Sequence, residues 1–202
     1  MTNTFFISDM HFGHIKILKY DKRPFNTVGE CDKAIINNWN RRVGKNDTVY
    51  ILGDISWYDA EKTAQILESL KGKKYLITGN HDGLLIHDKG IIKQFSGIQS
   101  YKEIALDQGK TRIILCHYPI PCFKNHYYPG WYHLYGHVHS TYEWEMIERI
   151  RMEVIQEHNN PCNMYNVGCM MPYMNYTPRT LEEIIEGYNM TVGKGENENN
   201  EE

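Results

Sequence analysis

Five apolar, β-rich runs punctuate this chain, and each stops at a short patch of Asp, Asn or His. Thr4-Phe5-Phe6-Ile7 leads to Asp9-Met10-His11, and Thr48-Val49-Tyr50-Ile51-Leu52 leads to Gly53-Asp54. Lys74-Tyr75-Leu76-Ile77-Thr78 is followed by Gly79-Asn80-His81-Asp82, and Arg112-Ile113-Ile114-Leu115-Cys116 by His117. Trp131-Tyr132-His133-Leu134-Tyr135 precedes Gly136-His137-Val138-His139. Short apolar runs bounded by turn residues are the mark of buried strands. Polar groups gathered at the ends of several strands constrain the chain to an α/β fold with one shared site.

Helical patterns alternate with these runs in the first half. Residues around 30–42 predict a helix with Ala34, Ile35 and Trp39 on one face. Asp59 reads as the N-cap of a helix through Leu70, with Ala64, Ile66, Leu67 and Leu70 as its apolar stripe and Gly72 as its stop. This is a β-α-β-α-β series. After residue 95 the pattern changes. Tyr101–Leu106 and Thr111–Cys116 flank Asp107-Gln108-Gly109-Lys110, a hairpin signal, so the sheets are expected to be mixed. Trp144–His158 predicts an amphipathic helix with Ile147, Ile150, Val154 and Ile155 inward, and Asn163–Val167 a strand. Thr180-Leu181-Glu182-Glu183 is a capping-box pattern opening a last helix to about Tyr188. The expected organisation is one domain over residues 1–190 and a disordered acidic tail over 191–202, where Gly, Asn and Glu leave almost nothing to bury.

At 202 residues, 41% hydrophobic and 23% charged, the chain can bury a core as a globular protein. Its net charge of -3 gives no support to a general affinity for nucleic acid or anionic membrane. No run approaches the ~20 apolar residues of a membrane helix, and no signal-peptide pattern opens the chain. Cys31, Cys116, Cys122, Cys162 and Cys169 form no C-x-x-C pair, which predicts reduced thiols and a cytoplasmic location.

Asp9 and His11 are separated by one residue, as are His137 and His139. In extended backbone such side chains point the same way and can reach one ion. Carboxylate, imidazole and amide oxygen suit borderline divalent ions, and no thiolate is needed. Asp9, His11, Asp54, Asn80, His117, His137 and His139 are too many ligands for one ion. Two ions ~3.5–4 Å apart would share a carboxylate and activate a bridging water towards a phosphorus centre. His81 is expected to protonate the leaving oxygen, with Asp82 orienting it. D-x-H or Gly-Asp alone is weak; the specific signal is all five patches, in this order, each behind a strand.

In that order the set D-x-H, G-D, G-N-H-D, H, G-H-x-H resembles the calcineurin-like metallophosphoesterases. The resemblance covers roughly residues 4–188. Asn166-Val167-Gly168, and Tyr176 and Pro178 before Leu181-Glu182-Glu183-Ile184, are similar to the closing strand and helix of small bacterial and phage members. His11-Phe12-Gly13-His14 with Arg23-Pro24-Phe25 resembles a subgroup of predicted phosphoesterases. The resemblance implies two mixed β-sheets packed as a sandwich and flanked by helices. It implies Asp9, His11 and His139 on one metal, Asn80, His117 and His137 on a second, Asp54 between them, and His81 as acid or phosphate-binding histidine. Manganese is the first expectation for both ions, with iron, zinc, nickel or cobalt as alternatives. Protein phosphatases of the family continue their second motif as G-D-x-x-D-R-G; here Gly53-Asp54-Ile55-Ser56-Trp57-Tyr58-Asp59 has no arginine, which counts against phosphoprotein phosphatase activity.

The expected function is therefore hydrolysis of a small phosphodiester or phosphomonoester, a nucleotide among the candidates. Nuclease action on DNA or RNA is the rival within enzymes. A non-catalytic scaffold of the same fold is the rival outside them, and the complete ligand set argues against it. His14 and Arg23, in the loop after the first strand, are the candidate substrate contacts; Arg23 could fork onto a phosphate. The aromatic stretch from His126 to Tyr132 is a candidate wall for a base. Oligomeric state is not legible in the sequence.

Overall fold

The computed structural model describes residues 2–191. The expected disordered tail lies, apart from Thr191, outside the described residues; Thr191 itself closes the last helix.

Among the described residues, eight strands form two four-stranded sheets. The first sheet has the order β1 (Thr4–Ile7), β2 (Thr48–Ile51), β3 (Lys73–Ile77), β4 (Ile98–Gln99), all parallel. Its connections carry the short α1 (Ile17–Tyr20), α2 (Val28–Arg42), α3 (Ala60–Ser69) and the short α4 (Lys89–Ile92). Parallel neighbours need crossovers of this kind. The second sheet has the order β5 (Tyr101–Leu106), β6 (Thr111–Cys116), β7 (Trp131–Tyr135), β8 (Met164–Asn166). There β5 and β6 form the expected antiparallel hairpin, while β6–β7 and β7–β8 are parallel. Helices α5 (Tyr142–His158) and α6 (Leu181–Thr191) follow β7 and β8 in the chain. The two-sheet sandwich flanked by helices is the expected fold. Mixed pairing belongs to the second sheet; in the first, an isolated antiparallel bridge joins Phe6 to Arg179 beyond β1.

Period-two alternation explains the layers. Ile113, Leu115, Leu134 and Tyr165 of the second sheet join Phe5, Ile7, Val49 and Ile51 in one core. Their neighbours Ile114, Tyr135 and Met164 face the other way and pack with Ile147 of α5. Cys31, Ile35 and Trp39 line the buried side of α2, where full burial of the Trp39 indole is completed by its N–H bond to Lys71 O at 2.9 Å. Losing such a side chain costs about 3–5 kcal/mol. The caps follow the sequence reading: Asp59 accepts from Lys62 N at 2.8 Å, and Thr180 and Glu183 exchange side-chain-to-backbone bonds.

At one end of the sandwich the two sheets are tied together. Ser8 donates its N–H to Val167 O at 2.8 Å and accepts from Cys169 N at 2.9 Å. The loops after β1, β2, β3, β6 and β7 all leave their strands at this end. Among the described residues no helix is long and apolar enough to cross a membrane.

Candidate metal centre

Seven side chains from those five loops converge. Asp9, His11 and His139 bring ligand atoms within 4.8 Å of one another, and so do Asp9, Asp54 and His117. His117 Nε2 and His137 Nδ1 lie 3.1 and 2.9 Å from Asn80 Oδ1. Asp54 Oδ2 stands between the groups, 3.8 Å from His11 Nε2 and 3.6 Å from His117 Nε2.

Local backbone geometry produces this convergence. Asp9, His11, Asp54, His137 and His139 all have left-handed φ, between +49° and +69°. Non-glycine residues hold that region at a cost of about 1–3 kcal/mol each, and only where surroundings over-determine it. The i, i+2 pairs therefore do not converge by being extended, as the sequence suggested. They turn sharply, and His139 joins Asp9 and His11 while His137 turns to Asn80. Two glycines make the turns possible. Gly53 has φ +89°, and a Cβ there would strike His117 and Gly79; a Cβ on Gly136 would strike Ser8 and the Asp9 carboxylate. The Asp9 carboxylate also accepts the His137 N–H at 3.1 Å.

The residues fit divalent ions, because bonds on the far side of two rings set their tautomers. His117 Nδ1 is 2.6 Å from Leu52 O, so it donates there and leaves Nε2 as a lone pair aimed at Asp54 and Asn80. His139 Nδ1 is 2.7 Å from Asp21 Oδ1, which likewise leaves Nε2 free, 3.2 Å from His11 Nε2. Imidazole nitrogens facing each other beside Asp9 are suited to share a cation. Burial lowers the His11 pKa strongly, helped by His139 and Arg23, which keeps the ring neutral. Burial also lowers His137, with His117 adding to it. Burial acts against a charged His139, but the Asp21 bond and Asp9 outweigh it and raise that ring. Burial raises the Asp54 carboxyl, with His117 opposing and Asp9 adding. A bound cation would favour the carboxylate.

His81 stands on the open side of the cluster. Its side chain is 45% exposed, Nε2 is 4.0 Å from Asp54 Oδ2, and its N–H donates to Asp54 Oδ1 at 2.9 Å. Two expectations need correction. Asp82 does not orient the His81 ring: fully buried, it accepts the N–H groups of Asp54, Ile55 and Gly79 at 2.8–3.0 Å and clamps two ligand loops together. Arg23 does not face substrate. It is 4% exposed and donates to Asp21 Oδ2 at 2.9 Å, Met10 O at 3.0 Å and Asp9 O at 2.9 Å, so its fork is already committed to the first ligand loop.

His14 does lie at the cleft, half-buried and stacked on Trp57 with ring centroids 4.1 Å apart and planes 6° apart. Trp57 and Asp21 escaped the sequence reading. Trp57 had no signal beyond its place in the Gly53–Asp59 loop, and Asp21 none beyond lying two residues before Arg23. The aromatic stretch from His126 to Tyr132 lies elsewhere: Trp131 pairs with Arg112, at the end of β6 opposite His117.

Comparison with known proteins gives the family. The family profile described as calcineurin-like phosphoesterase matches residues 2–167. The chain belongs to the calcineurin-like phosphoesterase family. It is 32% identical over 190 residues to an uncharacterized protein of Methanocaldococcus jannaschii, covering 92% of this chain and 91% of that one. It is 41% identical over 86 residues to the gene 66 protein of Mycobacterium phage L5, 41% of each chain. A crystal structure of a protein of unknown function from Aquifex aeolicus superposes with a TM-score of 0.58 at 26% identity, covering 92% of this chain and 99% of that one.

Proposed function

We propose that the protein is a dinuclear-metal-dependent phosphoesterase acting on a small phosphate ester. The observation that carries this reading is Asp54 Oδ2, placed 3.8 Å from His11 Nε2 on one side and 3.6 Å from His117 Nε2 on the other. One carboxylate shared by two ligand groups is the arrangement that seats a pair of ions. Asp9, His11 and His139 would hold one ion, Asn80, His117 and His137 the other, and Asp54 both. Manganese is the first choice, with iron, zinc, nickel or cobalt as alternatives. Two such ions neutralise phosphoryl oxygens and lower the pKa of water for attack on phosphorus. His81 reaches over the centre from the open side, where Nε2 can give a proton to the departing ester oxygen. His14 and Trp57 border the place where the ester group would lie.

The partner in this reading is a small molecule. Nucleic acid is not favoured, because the net charge is -3. All five cysteines are free and four are buried, which supports a cytoplasmic assignment. Elemental analysis with anomalous scattering on metal-replete protein should show two sites flanking Asp54. A single ion held without Asp54 would overturn the dinuclear assignment. A screen with Mn²⁺, p-nitrophenyl phosphate, bis-p-nitrophenyl phosphate and a nucleotide panel should show hydrolysis; silence across it would overturn the activity.

A further inference from the structure

Two clefts open beside the metal ligands, and Trp57 with His81 forms the ridge between them. One, of about 560 Å³, has His14, Ile17, Tyr20 and Thr141 on its side of the ridge. The other, of about 460 Å³, has Tyr58, Ala60, Leu84 and Leu85 on its side. Both include Trp57 and His81, so both begin where the phosphorus centre would sit. Trp57 is 42% exposed, Tyr20 63% and Leu84 91%. Large apolar side chains left in water around a polar centre mark a surface that something else covers.

Charge is the second observation. Among the described residues lining the two clefts there is no Lys or Arg. Arg23, nearby in sequence, is buried and paired with Asp21. A phosphomonoester is largely a dianion and carries one organic group. A diester is a monoanion and carries two. Lys16 lines a smaller, separate pocket with His14 and Trp57 and neither of these two. Two mainly apolar clefts meeting at one anion site, with no cation of their own, match the diester.

Resting on the phosphoesterase reading, we infer that the substrate is a small phosphodiester with a flat, apolar group on each ester oxygen, one group in each cleft and Trp57 between them. Hydrolysis breaks one P–O bond, joins the water oxygen to phosphorus, returns a proton to the leaving oxygen, and releases a phosphomonoester and an alcohol or phenol. The group retained on phosphorus fills one cleft while the leaving group departs from the other past His81. A second flat group gains apolar contact area in the cleft of Tyr20 and Trp57, where one face of Trp57 is already stacked on His14.

The test uses three esters with one leaving group: bis-p-nitrophenyl phosphate, methyl p-nitrophenyl phosphate and p-nitrophenyl phosphate. The full chain loaded with Mn²⁺ should rank them in that order by kcat/KM. Trp57→Ala should lower kcat/KM for the bis-aryl ester about tenfold more than for the methyl ester, in line with one lost ring stack. Taking each ester as wild type over variant cancels its intrinsic reactivity. Trp57→Phe should restore most of the difference, and metal content should be unchanged in both variants. Preference for the monoester, or equal loss on all three esters in a variant with full metal content, would overturn the inference. If the wild type turns over none of them, the phosphoesterase reading fails by itself. The clefts are then judged by titration calorimetry: tighter binding of the bis-aryl than the methyl ester, lost in Trp57→Ala, supports them, and equal binding overturns them.

Discussion

Asp21 Oδ1 lies 2.7 Å from His139 Nδ1, while the other oxygen of the same carboxylate receives Arg23 Nε at 2.9 Å. Arg23 in turn donates to the carbonyls of Asp9 and Met10. His139, from the second sheet, is thereby tied to the loop after β1 through a buried carboxylate–guanidinium pair. The ring is held by its far nitrogen, and the near one is left to bind.

Replacing Asp21 by Asn keeps the size and removes the charge that fixes this tautomer. Metal affinity at the Asp9–His11–His139 group should fall about 10–100-fold. Dialysis against graded free Mn²⁺, with metal content measured in each fraction, checks this. Unchanged occupancy would show that Asp21 does not position His139.

Arg23→Ala should act on stability. Removing one partner of a buried pair costs about 3–5 kcal/mol, and Arg23 is also bonded to two carbonyls. Arg23→Lys should not rescue it, because an ammonium cannot reproduce the planar fork. Urea unfolding measures the loss. A stable variant with selectively weakened ester binding would return Arg23 to the role of substrate contact.

His81→Ala should keep both ions and lose about 10²–10⁴ in turnover. The deficit should be smaller for p-nitrophenyl esters than for alkyl esters, whose leaving oxygen needs the proton more. Loss of metal in this variant would make His81 a ligand.

Asp82→Ala should strip three N–H groups of a buried acceptor. Each charge-assisted bond is worth roughly 1.5–3 kcal/mol, so the unfolding midpoint should drop sharply. The pH profile of kcat in the surviving folded fraction should keep its shape. A shifted profile in a stable variant would reinstate Asp82 as the partner of the His81 ring.

His133 supplies a pH test away from the metals. Burial lowers its pKa from 6.5 to about 4, against contacts with the Ile114 and Tyr118 carbonyls that raise it. The native state therefore favours the neutral ring, which accepts from Ile120 N at 3.1 Å. Its contribution to stability is complete above pH 6.5 and is lost as pH falls towards 4, where the native ring also takes up a proton. At 1.36 kcal/mol per pH unit the loss is roughly 3 kcal/mol. Unfolding in EDTA across that range should be shallower in His133→Gln by about one proton. Equal slopes would mean the ring is charged in both states.

The candidate ligands were legible in the sequence because each patch follows a strand, and strands declare themselves by composition. The hairpin around Gly109 and the capping box at Thr180 were legible for similar local reasons. What failed needed three-dimensional knowledge. Left-handed turns at Asp9 and His137 cannot be read from residue type, so the right convergence was expected from the wrong conformation. A loop arginine declares its charge but not its direction, and Arg23 points inward. Trp131 declares its ring but not its strand end, and the register with Arg112 places it away from the site. Asp21 becomes meaningful only when α1 folds it beneath His139.

Asp9, Asp54 and Asn80 hang from the first sheet, and His117, His137 and His139 from the second. Ions seated among them would act as rivets through the seam of the sandwich. Whatever binding energy they released would be shared with the fold, about 2.7 kcal/mol for an ion present at a hundred times its dissociation constant. Metal scarcity thus has a second meaning for this protein. It would loosen the joint between the two halves as well as silence the chemistry, and expose the unriveted chain to proteolysis.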